Sequence, residues 1–328
     1  MSTEPTVQVL DTSYDMNGVS VVTATKTAAA PRRGTIYDPA TLAAAVPVWF
    51  HPLRDGRFLG LFAERWHTAT IGSGGPQSYS SYVETTAPSW MVFDPKTGSY
   101  SGVQEIPSRL VGTRDLSGAA SRFDYLFTIG TIGDEALLQH HLISPSGEVL
   151  LHAEEIIPER NGVVFSYGCW VGDRYLTVVG TDDASRVYLA RKRWSRVGDN
   201  ADPDWGVWEY KGQRGWSPDP ADLVPQVDRD GQALVTSGPV SYCKLKNREF
   251  ISLMTATDAK IYSSRDVEKD WALEYQREAD YFYLQPQLYY NPTMIPAGKR
   301  VGVPYVVTDF ISSAGAQQLL VGWDVFAR

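Results

Sequence analysis

The sequence predicts an all-β fold: a five-bladed β-propeller carrying a short N-terminal β-rich arm. Three observations lead there. The chain is rich in aromatics, with 10 Trp, 18 Tyr and 11 Phe among 328 residues. It also holds 28 Gly and 20 Pro, the residues that make turns; aromatics with frequent turn residues favour short strands over helices. Finally, one short motif recurs along the chain at a spacing suited to four-stranded blades, whose repeats run to roughly 40–50 residues before loops are added.

The motif is a tight turn leading into an alternating strand. It occurs as Arg54-Asp55-Gly56-Arg57-Phe58-Leu59, as Gly172-Asp173-Arg174-Tyr175-Leu176, and as Lys246-Asn247-Arg248-Glu249-Phe250-Ile251. Between the last two copies the match extends at a constant offset of 75: Ser166-Tyr167 stands over Ser241-Tyr242, Tyr175 over Phe250, and Asp183 over Asp258. After the loss of one residue, Val187-Tyr188 stands over Ile261-Tyr262. A weaker copy begins at Arg122-Phe123-Asp124-Tyr125-Leu126, and Pro304-Tyr305-Val306-Val307 opens another strand. Strand–turn–strand elements at Val92–Gly98 and Leu142–Gly147 close the first two units.

The units run 46–107, 108–158, 159–228, 229–285 and 286–328. They place the propeller at 46–328 and the arm at 1–45. Within the arm, Val7–Leu10 and Val19–Thr25 alternate around Asn17-Gly18 and read as a hairpin. Asp38-Pro39 followed by an alanine-rich run reads as the start of one short helix. The arm is expected to serve attachment, the last blade supplying its own outer strand at Gln318–Phe326. In Ser263–Tyr283 the alternation of Trp271, Leu273 and Tyr275 predicts a strand. The long third unit implies an insertion near 191–220.

Charge narrows the function classes. With 30 basic and 38 acidic residues the net charge is −8, which argues against nucleic acid as the main partner. The longest apolar run, Leu42–Phe50, is interrupted by Pro47 and falls well short of the ~20 residues of a membrane span. The start, Met1-Ser-Thr-Glu-Pro, has neither a basic stretch nor an apolar core, so no signal peptide is expected. The two Cys sit one register apart in the repeat and are expected to be free thiols. His140 and His141 adjoin on one strand and point to opposite faces, and Asp228-Arg229-Asp230-Gly231 lacks the later ligands of a calcium loop. No metal and no cofactor are expected.

Gly238-Pro239-Val240-Ser241-Tyr242 opening a blade, Ile261-Tyr262-Ser263-Ser264-Arg265-Asp266 before Trp271, and Tyr289-Tyr290-Asn291-Pro292 opening the last blade resemble arabinanase-like glycoside hydrolases. They are also similar to a related actinobacterial and phage propeller family of arabinan-active proteins. The resemblance implies carboxylates at the starts of the innermost strands, one acting as acid and one as base or nucleophile. Here only Asp115 and Glu159 are placed approximately so. With its propeller, N-terminal arm and no expected signal peptide the chain resembles a phage minor tail component, a non-enzymatic virion structural protein assembled in the host cytoplasm, and the shortage of carboxylates favours that class. Its partners would be other tail proteins and a host cell-wall glycan; the alternative is a glycoside hydrolase acting on arabinose-containing polysaccharide. Trp49, His51, Trp66, His67, Tyr167, Tyr242, Tyr289 and Tyr290 are the candidate sugar-stacking residues. Trp194, Trp205, Trp208 and Trp216 in the insertion are the candidate interface.

Overall fold

The computed structural model describes side chains chiefly between residues 101 and 276, together with Val48, Trp49, 59–63 and 87–92; elsewhere it describes the backbone of the strands named below. Four sheets follow one another along the chain, each an antiparallel meander. The first blade contains Ala43–Pro52, Phe58–Ile71, Ser89–Asp94 and Ser99–Glu105, extended by Ile36–Asp38 and Ser78–Thr85. The second is Leu116–Arg122, Tyr125–Ile132, Glu135–Ile143 and Val149–Ile157. The third runs Val164–Val171, Tyr175–Thr181, Val187–Ser195, Asp204–Gly212 and Gly215–Ser217, and the fourth Ser241–Leu245, Arg248–Met254, Asp258–Ser264 and Ala272–Glu278. The 75-residue offset thus joins equivalent strands of two neighbouring blades.

The first strands of successive blades stand side by side. A Cβ on Gly118 would lie 2.8 Å from the Cα of Gly168, and one on Gly168 only 2.3 Å from the carbonyl oxygen of Val240. No other residue fits so close an approach of backbones. The Val240 amide donates to the Tyr167 carbonyl at 2.6 Å, tying the third blade to the start of the fourth.

Apolar side chains fill three layers between the blades. The first holds Leu61 and Trp90 against Leu116, Leu126 and Leu137. The second sets Phe127, Ile129 and Leu138 against Phe165, Val178 and Trp194, and the third sets Trp170, Val179 and Leu189 against Ile251, Tyr262 and Trp271. Because a middle blade is covered on both faces, a strand such as Tyr125–Ile132 is buried at six consecutive positions. Each fully buried large side chain contributes about 2–3 kcal/mol. Sheets stacked face to face around adjoining first strands make this an all-β propeller.

Several expectations are corrected. The propeller has four blades rather than five. The unit at 286–328 does not make a consecutive four-stranded blade: its long strands Arg300–Ile311 and Ala316–Ala327 pair with each other, and Ile295–Ala297 pairs with the former. The other edge of that sheet is taken by Thr6–Gln8, opposite Trp323–Val325, and by Val22–Ala24, opposite Leu319–Val321. These two N-terminal strands therefore pair with the C-terminal strand and not with one another. The helix expected after Asp38-Pro39 is replaced by strands Ile36–Asp38 and Ala43–Pro52, because pairing with Phe58–Ile71 outweighs the helix preference of alanine. Among the described residues the helical turns are Gly112–Asp115 and Pro220–Asp222. Within the presumed insertion at 191–220, the described residues include Asp204–Gly212 and Gly215–Ser217, the outer strands of the third blade. Trp271 is buried, and Ala272–Glu278 forms the outer strand expected there.

Candidate functional site

A cavity of about 510 Å³ opens between the third and fourth blades, on the propeller face that carries the turns joining first to second strands. The turn around Gly172, Asp173 and Arg174 forms one wall, backed by Tyr175 and Thr177. Tyr242, Lys244 and Glu249 of the fourth blade form the opposite wall, and Arg122 reaches in from the second blade. Arg191, Trp216 and Arg265 complete the lining. Two of the turns that mark the sequence repeat thus contribute directly to the site.

Two aromatic arrangements shape it. Trp170 and Tyr242 stack across the blade boundary, with ring centroids 4.9 Å apart and planes 12° from parallel. The Arg191 guanidinium is sandwiched between rings, 3.9 Å from the centroid of Tyr175 and 4.2 Å from that of Trp216. Its Nε donates to Glu209 at 2.7 Å, which fixes the cation against both faces.

The two carboxylates that line the cavity differ in setting. Glu249, with a side chain 13% exposed, accepts a hydrogen bond from the Tyr242 hydroxyl at 3.0 Å and an ion pair from Lys244 at 3.4 Å. Burial, and then the Glu249 charge, push the Tyr242 phenol well above its ordinary range, so it stays a donor. Asp173 is 82% exposed and pairs with Arg122. A half-buried acceptor fixed by two donors and an open, exchangeable carboxylate thus line one concave, aromatic site. That combination can hold a sugar ring against an apolar face and place acidic groups beside it.

The sequence-based candidates divide. Tyr242 lines the cavity, and Trp216 does so from the outer edge of the third blade. Tyr167 is half-buried and packs against the third apolar layer, while Trp49 stacks on Trp90 with centroids 5.8 Å apart. Neither lines the cavity. His51, Trp66 and His67 belong to strands of the first blade, and Trp205 to Asp204–Gly212; their side chains lie outside the described residues, as do Tyr289 and Tyr290. Trp194 is no surface anchor: it is 3% exposed, with its ring edge-on to Tyr125 and Phe127. Trp208 donates its Nε1–H to Glu155 of the second blade at 3.0 Å. Asp115 stands half-buried at the start of the second blade, its carboxylate accepting from the Val111 amide at 3.4 Å, and Glu159 is exposed beyond the end of that blade. Neither reaches the cavity.

Sequence reading missed Trp170, Tyr175, Arg191, Glu249 and Arg265 as site residues. The available signal was the repeat itself, which sets Arg174 over Glu249 at the same offset of 75. His140 and His141 do face opposite ways. His140 stacks on Phe127 in the second apolar layer, while His141 meets Thr128 Oγ1 through its Nε2 at 3.1 Å. Asp228 closes a local turn, its Oδ1 accepting from the amides of Asp230 and Gln232, each at 2.9 Å.

No protein-family model matches the sequence, and a search among curated proteins finds no match. Solved structures do match. A family 117 glycoside hydrolase of the marine bacterium Zobellia galactanivorans is 8% identical, with 98% of this chain and 90% of that one covered at a TM-score of 0.46. A GH43_1 enzyme from Xanthomonas citri is 12% identical over 90% of each chain, at a TM-score of 0.38. The Trypanosoma rangeli sialidase is 10% identical, with 93% of this chain and 59% of that one covered at a TM-score of 0.37. The expectation of a non-enzymatic virion structural protein is corrected here: the three structures named are two glycoside hydrolases and a sialidase, and none is a virion structural protein. At such identities they assign no residue a role.

Proposed function

We propose that this chain is a carbohydrate-active protein of the glycoside-hydrolase type, with the cavity between the third and fourth blades as its sugar site. The observation that carries the reading is the meeting of aromatic rings and two dissimilar carboxylates in one cavity of about 510 Å³. Trp170, Trp216, Tyr175 and Tyr242 offer apolar ring surface to the C–H faces of a sugar. Glu249, held by Tyr242 and Lys244, has the fixed orientation required of a base or nucleophile. Asp173, exposed and paired with Arg122, is the second acidic group beside that sugar.

The test is sugar release from a panel of plant, algal and bacterial cell-wall polysaccharides, arabinan included, by purified full-length protein. Glu249→Gln is expected to lower kcat by at least about 10²-fold, as loss of an acid–base group does. Trp216→Ala is expected to act mainly on KM. Release that Glu249→Gln leaves unchanged, or no release from any polymer, overturns the proposal.

A further inference from the structure

We propose that the cavity recognises an acidic glycan, gripping a sugar carboxylate between Arg174 and Arg265; this rests on the reading of the cavity as a sugar site. The chain as a whole carries 30 basic and 38 acidic residues, yet the cavity is lined by five basic side chains against two acidic ones. Three of those cations already have carboxylate partners. Arg122 pairs with Asp173, Lys244 with Glu249, and Arg191 with Glu209. Arg174 and Arg265 have none among the described residues, and both are exposed at the cavity.

Their placement suits one anion. Arg174 stands in the turn before Tyr175–Thr181 of the third blade, and Arg265 follows Asp258–Ser264 of the fourth. The two guanidinium groups therefore come from opposite sides of the blade boundary. A guanidinium is a planar fork whose parallel N–H groups match the two oxygens of a carboxylate. A neutral sugar would offer hydroxyl acceptors to both forks but no counter-charge. Polymers with phosphate at every unit suit the site poorly, because the chain as a whole is acidic and the cavity walls are aromatic. A sugar bearing a carboxylate on the ring meets both requirements, with a face for the rings and an anion for the forks.

The experiment is calorimetric titration of the full chain with matched pairs: oligogalacturonate and oligomannuronate, each against the same oligosaccharide after carboxyl reduction. The acidic member of at least one pair is expected to bind about tenfold or more tightly than its reduced partner, with a preference that shrinks as salt is raised. In the double variant Arg174→Gln/Arg265→Gln the two members of that pair are expected to bind alike, at the level of the reduced sugar. Thermal melting of the variant, unchanged because both side chains are exposed, separates this from misfolding. Equal binding within every pair by the unaltered protein overturns the acidic-glycan inference and leaves the sugar site standing. So does a preference that survives the double variant. Binding of no oligosaccharide at all overturns the sugar site together with the inference.

Discussion

Stability should depend on pH through His141. The imidazole is buried, and that desolvation lowers its pKa from the ordinary 6.5 to about 4. Its Nε2 meets Thr128 Oγ1 at 3.1 Å, and its Nδ1 has no hydrogen-bond partner among the described residues. The folded protein therefore keeps this ring neutral where the unfolded chain would protonate it. Above pH 6.5 neither state binds the proton and the full stability is present; as pH falls from 6.5 towards 4 the unfolded state gains a proton that the folded state refuses. The loss reaches about 3 kcal/mol, from a difference of roughly 2.5 pKa units at 1.36 kcal/mol each. Below about pH 4 this group contributes no further change. Urea unfolding followed by tryptophan fluorescence between about pH 7 and pH 4 measures it, with His141→Gln as the comparison. The glutamine keeps a polar contact with Thr128 and does not titrate, so its pH profile should be flatter by that amount. Asp182 does not confuse the window: against the opposing effect of desolvation, hydrogen bonds from Arg186 and Tyr188 hold its carboxyl below the ordinary 3.8. Parallel profiles for the two proteins would refute the reasoning.

Other consequences are as direct. Gly168→Ala should destabilise by about 3 kcal/mol, since the new methyl would lie 2.3 Å from the Val240 carbonyl oxygen and force the Tyr167–Val240 hydrogen bond apart. Gly172→Ala, which meets only the Tyr175 carbonyl oxygen at 3.7 Å, should cost under about 1 kcal/mol, both variants being compared by urea unfolding. Cys169 and Cys243 are free and buried, and burial pushes both thiols up, Cys243 to about 12. A maleimide should therefore label neither in native protein and both in denaturant without reductant; failure to label after denaturation would mean they are bonded. Glu155 accepts from Lys192 at 2.9 Å and from Trp208 at 3.0 Å across the boundary of the second and third blades. Glu155→Gln should destabilise by about 1–3 kcal/mol in chemical denaturation, because the half-buried Lys192–Glu155 ion pair would become a neutral contact.

The blades were legible because their turns are local. Gly172-Asp173 and Lys246-Asn247 mark where a first strand ends, and the apolar alternation after each marks the second. Blade number was less accessible. The rhythm of turns extends to residue 328, but whether the last strands make a blade of their own depends on their partners, and Ala316–Ala327 pairs with segments at the opposite end of the chain. The alanine run at 43–45 misled for a related reason, since helix preference is weak beside a whole strand of backbone pairing. Trp194 was misread because the length of the third unit suggested an excursion from the sheet, whereas a longer final hairpin, Asp204–Ser217, accounts for it. The cavity was mostly hidden. Arg122, Arg174, Arg191, Lys244 and Arg265 are spread over three blades, and the one basic run that includes any of them, Arg191-Lys192-Arg193, does not foretell their convergence.

The pairing of Thr6–Gln8 with Trp323–Val325 sets a timetable for synthesis. Thr6–Gln8 is made more than 300 residues before its sheet partner. At roughly 5–20 residues per second the interval is about 16–60 s. Throughout it, both Thr6–Gln8 and Val22–Ala24 are strands without a sheet, and unpaired strand edges invite the wrong neighbours. Their composition, Thr-Val-Gln and Val-Thr-Ala, is mild for such a wait, short and partly polar. The meanders at 43–278 can each form as they emerge, since their strands are joined in order. The final sheet waits for Ala316–Ala327 to be made, so a nascent chain halted shortly before residue 316 would hold finished blades and lack the strand that both N-terminal segments pair with.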